Sequence, residues 1–103
     1  MTSINKNEGK PRPSLLVRDM GSYYKELIRV REMGSVKYSR LNWVESRGTE
    51  DEQRFLDENL DSILRHVMAM IDGETHDEES GLTHAAHIGI RAGFAHEYLR
   101  GQI

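Results

Sequence analysis

Apolar residues recur at helical spacing in three stretches of this chain. The first runs from Val17 to Met33, with Met20, Tyr24, Leu27 and Val30 or Ile28 on one face. Gly34 stands where a left-handed residue would end it. The second opens at Thr49, which has capping-box spacing with Glu52, and Glu50, Asp51 and Glu52 suit the positive end of a helix. Its apolar stripe is Phe55 or Leu56, Leu60, Ile63, Leu64, Val67 and Ile71, and Gly73 ends it. An acidic turn, GETHDEES, leads to the third stretch, Leu82 to Leu99, with Ser80 or Thr83 as its cap and Gly101 as its stop. No repeat and no strand pattern interrupts this. The pattern predicts an all-α fold, a small antiparallel helical bundle of about three main helices with short connections. Residues 1–14 are polar, carry Pro11 and Pro13, and read as an extended or disordered arm. Residues 15–103 then form a single helical domain.

Within the third stretch the polar residues are not scattered. At about 100° per residue, His84, His87, Arg91 and the Tyr98 hydroxyl share one narrow stripe. Leu82, Ala86, Gly89 and Gly93 fall opposite, where small residues permit a close helix crossing. A solvated helix face would carry Lys and Glu instead. Imidazoles and a guanidinium on an otherwise small, apolar helix point to a shared cavity, or to a satisfied polar core.

Composition narrows the function. The 103 residues make one domain, with a net charge of −3 and 30% charged residues. No global basic field recruits nucleic acid or an anionic membrane, so direct nucleic-acid binding is not expected. Zero cysteines exclude disulfides, thiolate metal sites and cysteine nucleophiles. No apolar run reaches membrane-spanning length and the first residues lack a signal-peptide core, which sets a cytoplasmic expectation. A core this small makes self-association, as a homo-oligomer, one remedy.

Set beside the third helix, the second offers Asp61, Arg65 and His66 to the same groove. Asp61 and Arg65 have i,i+4 spacing, which by itself describes an ordinary surface ion pair. Two chemistries suit such a groove. In one, His84 and His87, at i,i+3, hold a divalent metal with His66 or a carboxylate such as Asp61. Imidazole suits Zn²⁺ or Mn²⁺, and a hydrolase reading would call for Mg²⁺ or Mn²⁺. In the other, Arg65, Arg91, Lys37 and the histidines grip phosphate oxygens, while Tyr38 or Trp43 stacks on a base beside Asn42. Trp43 serves equally as a core plug. Neither a nucleophile triad nor a glycine-rich phosphate loop is present.

The segments KPRPSLL, GSVKYSRLNW, LDSILRHVMAMIDGE and DEESGLTHAAH, in that order, resemble the N-terminal domain of phage dATP/dGTP diphosphohydrolases. The resemblance spans Lys10 to about Tyr98. It implies a phage origin, hence an infected host cell, an all-helical fold and work on purine deoxynucleotides, releasing pyrophosphate from a dNTP to leave the monophosphate. Two departures stand out. Arg91 occupies a position, one turn after the HxxH pair, where the family leads one to expect Asn. The stretch Glu45 to Arg54 is also longer and more acidic than the family's link. MazG-type pyrophosphohydrolases present ExxE on one helix and ExxD on the next to hold Mg²⁺. Here Glu58 and Asp61 supply one ExxD-like half, and the first helix has no ExxE partner for it.

The expectation is a protein that binds a phosphorylated purine nucleotide. Lys37, Tyr38, Asn42, Trp43, Arg65, His84, His87 and Arg91 would contact it, Asp61 with His84 and His87 would hold any metal, and Asp61 and His66 would act in catalysis. A non-catalytic sponge that sequesters a nucleotide immune signal of the host, and a purely structural interaction module, are the competing readings.

Overall fold

The computed structural model describes residue 6 and residues 8–101. Helix α1 (Ser14–Val17) is a single turn, followed by α2 (Gly21–Lys37), a 3₁₀ turn (Asn42–Val44), α3 (Glu52–Ile71) and α4 (His84–Arg100). Among the described residues there is no strand, only one isolated bridge between His76 and Thr83. The all-α expectation holds, with the first long helix shifted toward the C-terminus from its expected span and of the same length. Gly34 lies inside α2, and the left-handed stop falls instead at Ser39, with φ of 109°.

The other ends follow their signals more closely. Thr83 caps α4, its side chain accepting from the Ala86 amide at 3.2 Å. Gly73 (φ 92°) and Gly101 (φ 69°) supply the left-handed turns after α3 and α4. At the start of α3 the expected capping box is offset. Thr49 Oγ1 accepts from the Asp51 amide, and the Glu52 carboxylate reaches back to the Gly48 amide.

Helix α4 is central: both α2 and α3 pack on it. Helix α3 runs antiparallel to α4, with Phe55 stacked on Tyr98 at one end and His66 against His84 at the other. Helix α2 lies on the opposite flank and runs in the same sense as α4, with Tyr23 meeting Ala85 and Arg31 lying over Phe94. The loop after α2 wraps the far end of α4. There Trp43 stacks on Phe94 at 4.5 Å, Ser46 hydrogen-bonds the Tyr98 hydroxyl at 2.7 Å, and Arg47 donates to the carbonyls of Glu97 and Tyr98. A guanidinium on the last carbonyls of a helix also complements its dipole. The Tyr98 hydroxyl is therefore tied into this packing, away from the histidines with which it shares a stripe.

Two close-packing expectations separate. Gly93 faces open space. Gly89 is where α2 touches α4: a Cβ there would strike the Tyr23 hydroxyl and approach Leu27 Cδ2 to 2.8 Å. The buried apolar side chains are few, namely Trp43, Leu82, Ala86 and Tyr98. The largest departure concerns α3. The polar Asn59, Ser62 and His66 turn toward α4, whereas Leu60, Leu64, Met68 and Ile71 are each more than half exposed.

Gly89→Ala on an open helix would gain roughly 1 kcal/mol from propensity. Here the added methyl meets Tyr23, and we expect denaturant unfolding to show a loss of about 1–3 kcal/mol instead. Adding Tyr23→Phe should recover part of that loss, because it removes the nearest atom; an unchanged deficit would place the strain elsewhere.

Candidate functional site

Because α2 and α3 each grip α4 without closing on one another, a groove of about 760 Å³ opens between them with α4 as its floor. From α4 it receives His84, His87, Ile90, Arg91 and Phe94, one per turn or so along the inward face. Lys37 and Tyr38 enter from the end of α2, Arg65 and His66 from α3, and Asn42 and Trp43 from the loop. All of these but Ile90 and Phe94, nine side chains, were singled out from the sequence. Asp61 is not among them: it lies exposed on α3, outside the groove. Its expected ion pair with Arg65 is not formed. Trp43 is buried and already stacked on Phe94, so it forms the wall of the groove rather than a free stacking surface. Tyr38, 57% exposed and with Lys37 Nζ 5.1 Å from its ring centre, keeps a free aromatic face at the rim.

At one end of the groove the three histidines converge. The rings of His66 and His87 stack in parallel at 4.8 Å, and His66 Nδ1 lies 2.8 Å from His84 Nδ1. That contact needs one donor and one acceptor, so the two rings cannot both be imidazolium. Burial, reinforced by the neighbouring His87 and His84, holds the pKa of His66 below the ordinary imidazole value. Burial lowers that of His87 as well, although Asp77 pulls it the other way. His84 is 5% exposed, and its Nε2 is buried with no hydrogen-bond partner.

The acidic turn places Asp77 beside these rings. Asp77 accepts from the Ser80 amide at 2.9 Å, while Ser80 Oγ meets His87 Nε2 at 2.7 Å. Burial pushes the Asp77 carboxyl upward, but the Ser80 hydrogen bonds and the nearby imidazoles outweigh it and leave its pKa lowered. One ligand atom each from His66, Asp77 and His84 lie within 4.8 Å of one another. Two imidazoles and a carboxylate suit a first-row transition ion better than Mg²⁺, which prefers oxygen. The metal-ligand geometry thus uses His84 with His66 and Asp77, in place of Asp61 and His87.

Further along the floor the charge changes sign. The Arg91 side chain is partly buried, makes no hydrogen bond or ion pair to any described residue, and has Arg65 as a like-charged neighbour. Burial, with a smaller contribution from Arg65, lowers its pKa despite the opposing influence of Tyr38. Asn59 holds the Arg91 carbonyl at 2.8 Å, fixing α3 to α4 at this level. Reading the sequence missed Asn59, took Ser80 only as a possible cap, and expected metal ligands from the acidic turn without singling out Asp77. The Asp-x-x-Ser spacing before a capped helix was the available sign for the last two. Glu58 also lines the groove, so the ExxD-like pair splits, one carboxylate inside and one out.

The family model for the N-terminal region of dATP/dGTP diphosphohydrolases matches residues 2–102. The chain belongs to this family. A dATP/dGTP diphosphohydrolase of Salmonella phage PMBT28 is 37% identical over 87 residues, covering 84% of this chain and 26% of that protein. The chain therefore spans about a quarter of that relative's length. No solved structure matches the chain. Among the described residues no helix is long and apolar enough to cross a membrane.

The depressed imidazoles make a pH prediction. His66 and His87 take up a proton less readily in the fold than in an unfolded chain, which protonates as pH falls through about 6.5. Stability present above that pH should be lost below it, with the melting temperature dropping between about pH 7 and 5. The lowered Asp77 acts only in a more acidic range. His87→Gln should flatten this limb in thermal melts; an identical slope in the variant would exonerate the ring.

Proposed function

We propose that the groove binds a phosphorylated purine deoxynucleotide, with Arg91, Arg65 and Lys37 on the phosphates and Tyr38 on the base. Arg91 carries this reading. A guanidinium drawn partly out of water beside a second guanidinium, with no carboxylate to pair with, is costly until an anion arrives. Arginine forks and phosphate oxygens are complementary in shape and charge. The buried Trp43 Nε1–H also lacks an acceptor and is available as a donor. The family's dATP/dGTP diphosphohydrolase relative supports the purine deoxynucleotide class.

A divalent ion would be held by His66, Asp77 and His84, where the buried His84 Nε2, which makes no hydrogen bond and lies 4.0 Å from Glu74 Oε1, fits a metal-ligand set. Such an ion supplies charge neutralisation for phosphate oxygens. Asp77, tied by Ser80, would offer its carboxylate there, and the Nδ1 contact between His66 and His84 fixes the two rings relative to one another. The split of Glu58 from Asp61 favours a second reading, in which the nucleotide is held unchanged, as by a sponge for a host signal.

Calorimetric titration with dATP and dGTP tests the reading. Binding is expected in the wild type and should weaken about tenfold or more in Arg91→Asn, the loss of a charge-assisted contact. Equal affinity would remove Arg91 from the site. Pyrophosphate release with Mn²⁺ or Mg²⁺ supports the hydrolase, whereas intact nucleotide recovered after denaturation supports the sponge.

The metal set has its own readout. Mn²⁺ or Zn²⁺ should raise the melting temperature of the wild type and leave that of His84→Ala unmoved. A matching rise in both would place the ion elsewhere.

A further inference from the structure

Helix α3 is inside out for a monomer. Its polar Asn59, Ser62 and His66 face α4 and the groove, and its longest apolar ridge faces away. Leu60, Leu64, Met68 and Ile71, spaced at i, i+4, i+8 and i+11, are 51%, 56%, 62% and 77% exposed. An outward helix face in a soluble domain is ordinarily the charged one. We propose that this ridge is the interface with a second copy of the chain, α3 packing antiparallel on α3 about a two-fold axis.

The charges choose the second copy as the occupant. Along one border of the ridge stand Arg54, Asp61, Arg65 and Asp72, all exposed, in the order plus, minus, plus, minus. In an antiparallel helix pair, a border row faces the same row of the other helix, reversed. A two-fold axis level with Ile63 sets Arg54 opposite Asp72 of the partner subunit, and Asp61 opposite Arg65 of the partner subunit. The same axis centres the apolar run from Leu56 to Ile71 on itself. An isologous contact requires this self-complementarity. The ridge residues themselves lie outside the groove, whereas Arg65 stands at the edge shared by this border and the groove, so its pairing with Asp61 of the partner subunit and its place in the proposed phosphate site bear on one another.

Light scattering on size-exclusion chromatography and sedimentation equilibrium of the full chain test it. A dimer at micromolar concentration is expected, and Leu64→Asp with Met68→Asp should convert it to a monomer of unchanged helicity. Charge reversal guards against a variant that simply fails to fold. Arg54→Asp or Asp72→Arg alone should weaken the dimer about tenfold, and the two together should restore it. Since the chain has no cysteine, Leu64→Cys alone should cross-link to its own copy with a short bismaleimide. A monomeric wild type overturns the proposal, and so does a dimer indifferent to both the ridge substitutions and the charge reversals.

Discussion

The structure depends on the close approach of α2 to α4 at Gly89. Only a glycine leaves room there for the Tyr23 ring and Leu27. Once the two helices are that close, α2 can serve the polar groups at the start of α4. Tyr23 donates to the Ala85 carbonyl at 3.0 Å, and Glu26 accepts from the Thr83 amide at 2.8 Å, a bond that holds its carboxyl below the usual range. A helix start needs its first amides satisfied, and here that need ties three segments together. The same turn carries His84 and His87, so the contact that positions α2 also positions two of the three clustered imidazoles.

From that anchored turn the groove acquires two chemically different ends. Imidazoles and Asp77 gather near the start of α4, where His66, His84 and Asp77 bring ligand atoms together as in a metal-ligand set. Roughly one turn further, Arg91, Arg65 and Lys37 make the floor cationic. Under the proposed reading this ordering matches a metal–polyphosphate ligand, with the ion at one end and its phosphate oxygens reaching the other. The Lys37–Glu79 pair, 3.6 Å apart and exposed, spans the mouth between α2 and the acidic turn. Being exposed, it is easily given up when a stronger anion competes for the lysine.

The sequence made much of this legible where a local rule was at work. Thr83, Gly73 and Gly101 announced their roles because caps depend on a few neighbouring residues. The stripe on α4 found His84, His87 and Arg91 because helical periodicity alone sets which side chains share a face. Gly34 misled because a glycine inside a helix costs little once the residues beyond it, Ser35 to Lys37, continue the turn. The meeting of Asp77 with His66 and His84 could not be read, since it depends on how the turn folds back between α3 and α4. Period alone also could not say which side of α3 faces α4, because an apolar stripe looks the same whichever surface covers it.

That last ambiguity links the site to assembly. A groove walled by α3 requires polar groups on the face of α3 beside α4, and the helix has only one circumference. Giving Asn59, Ser62 and His66 to the groove side sends Leu60, Leu64, Met68 and Ile71 outward. Within one chain α3 is held by its packing along α4, with Phe55 on Tyr98, Asn59 on the Arg91 carbonyl, and the histidine contacts at the far end. Covering the ridge would add the apolar burial that this wall lacks, and would do so from the side away from any ligand. Anything that loosens α3 loosens the floor contact at Arg91 and the His66–His84 pair together, because both cross the same helix interface. A second copy on the ridge would therefore steady both ends of the groove, with Asp61 of the partner subunit opposite Arg65 at its edge.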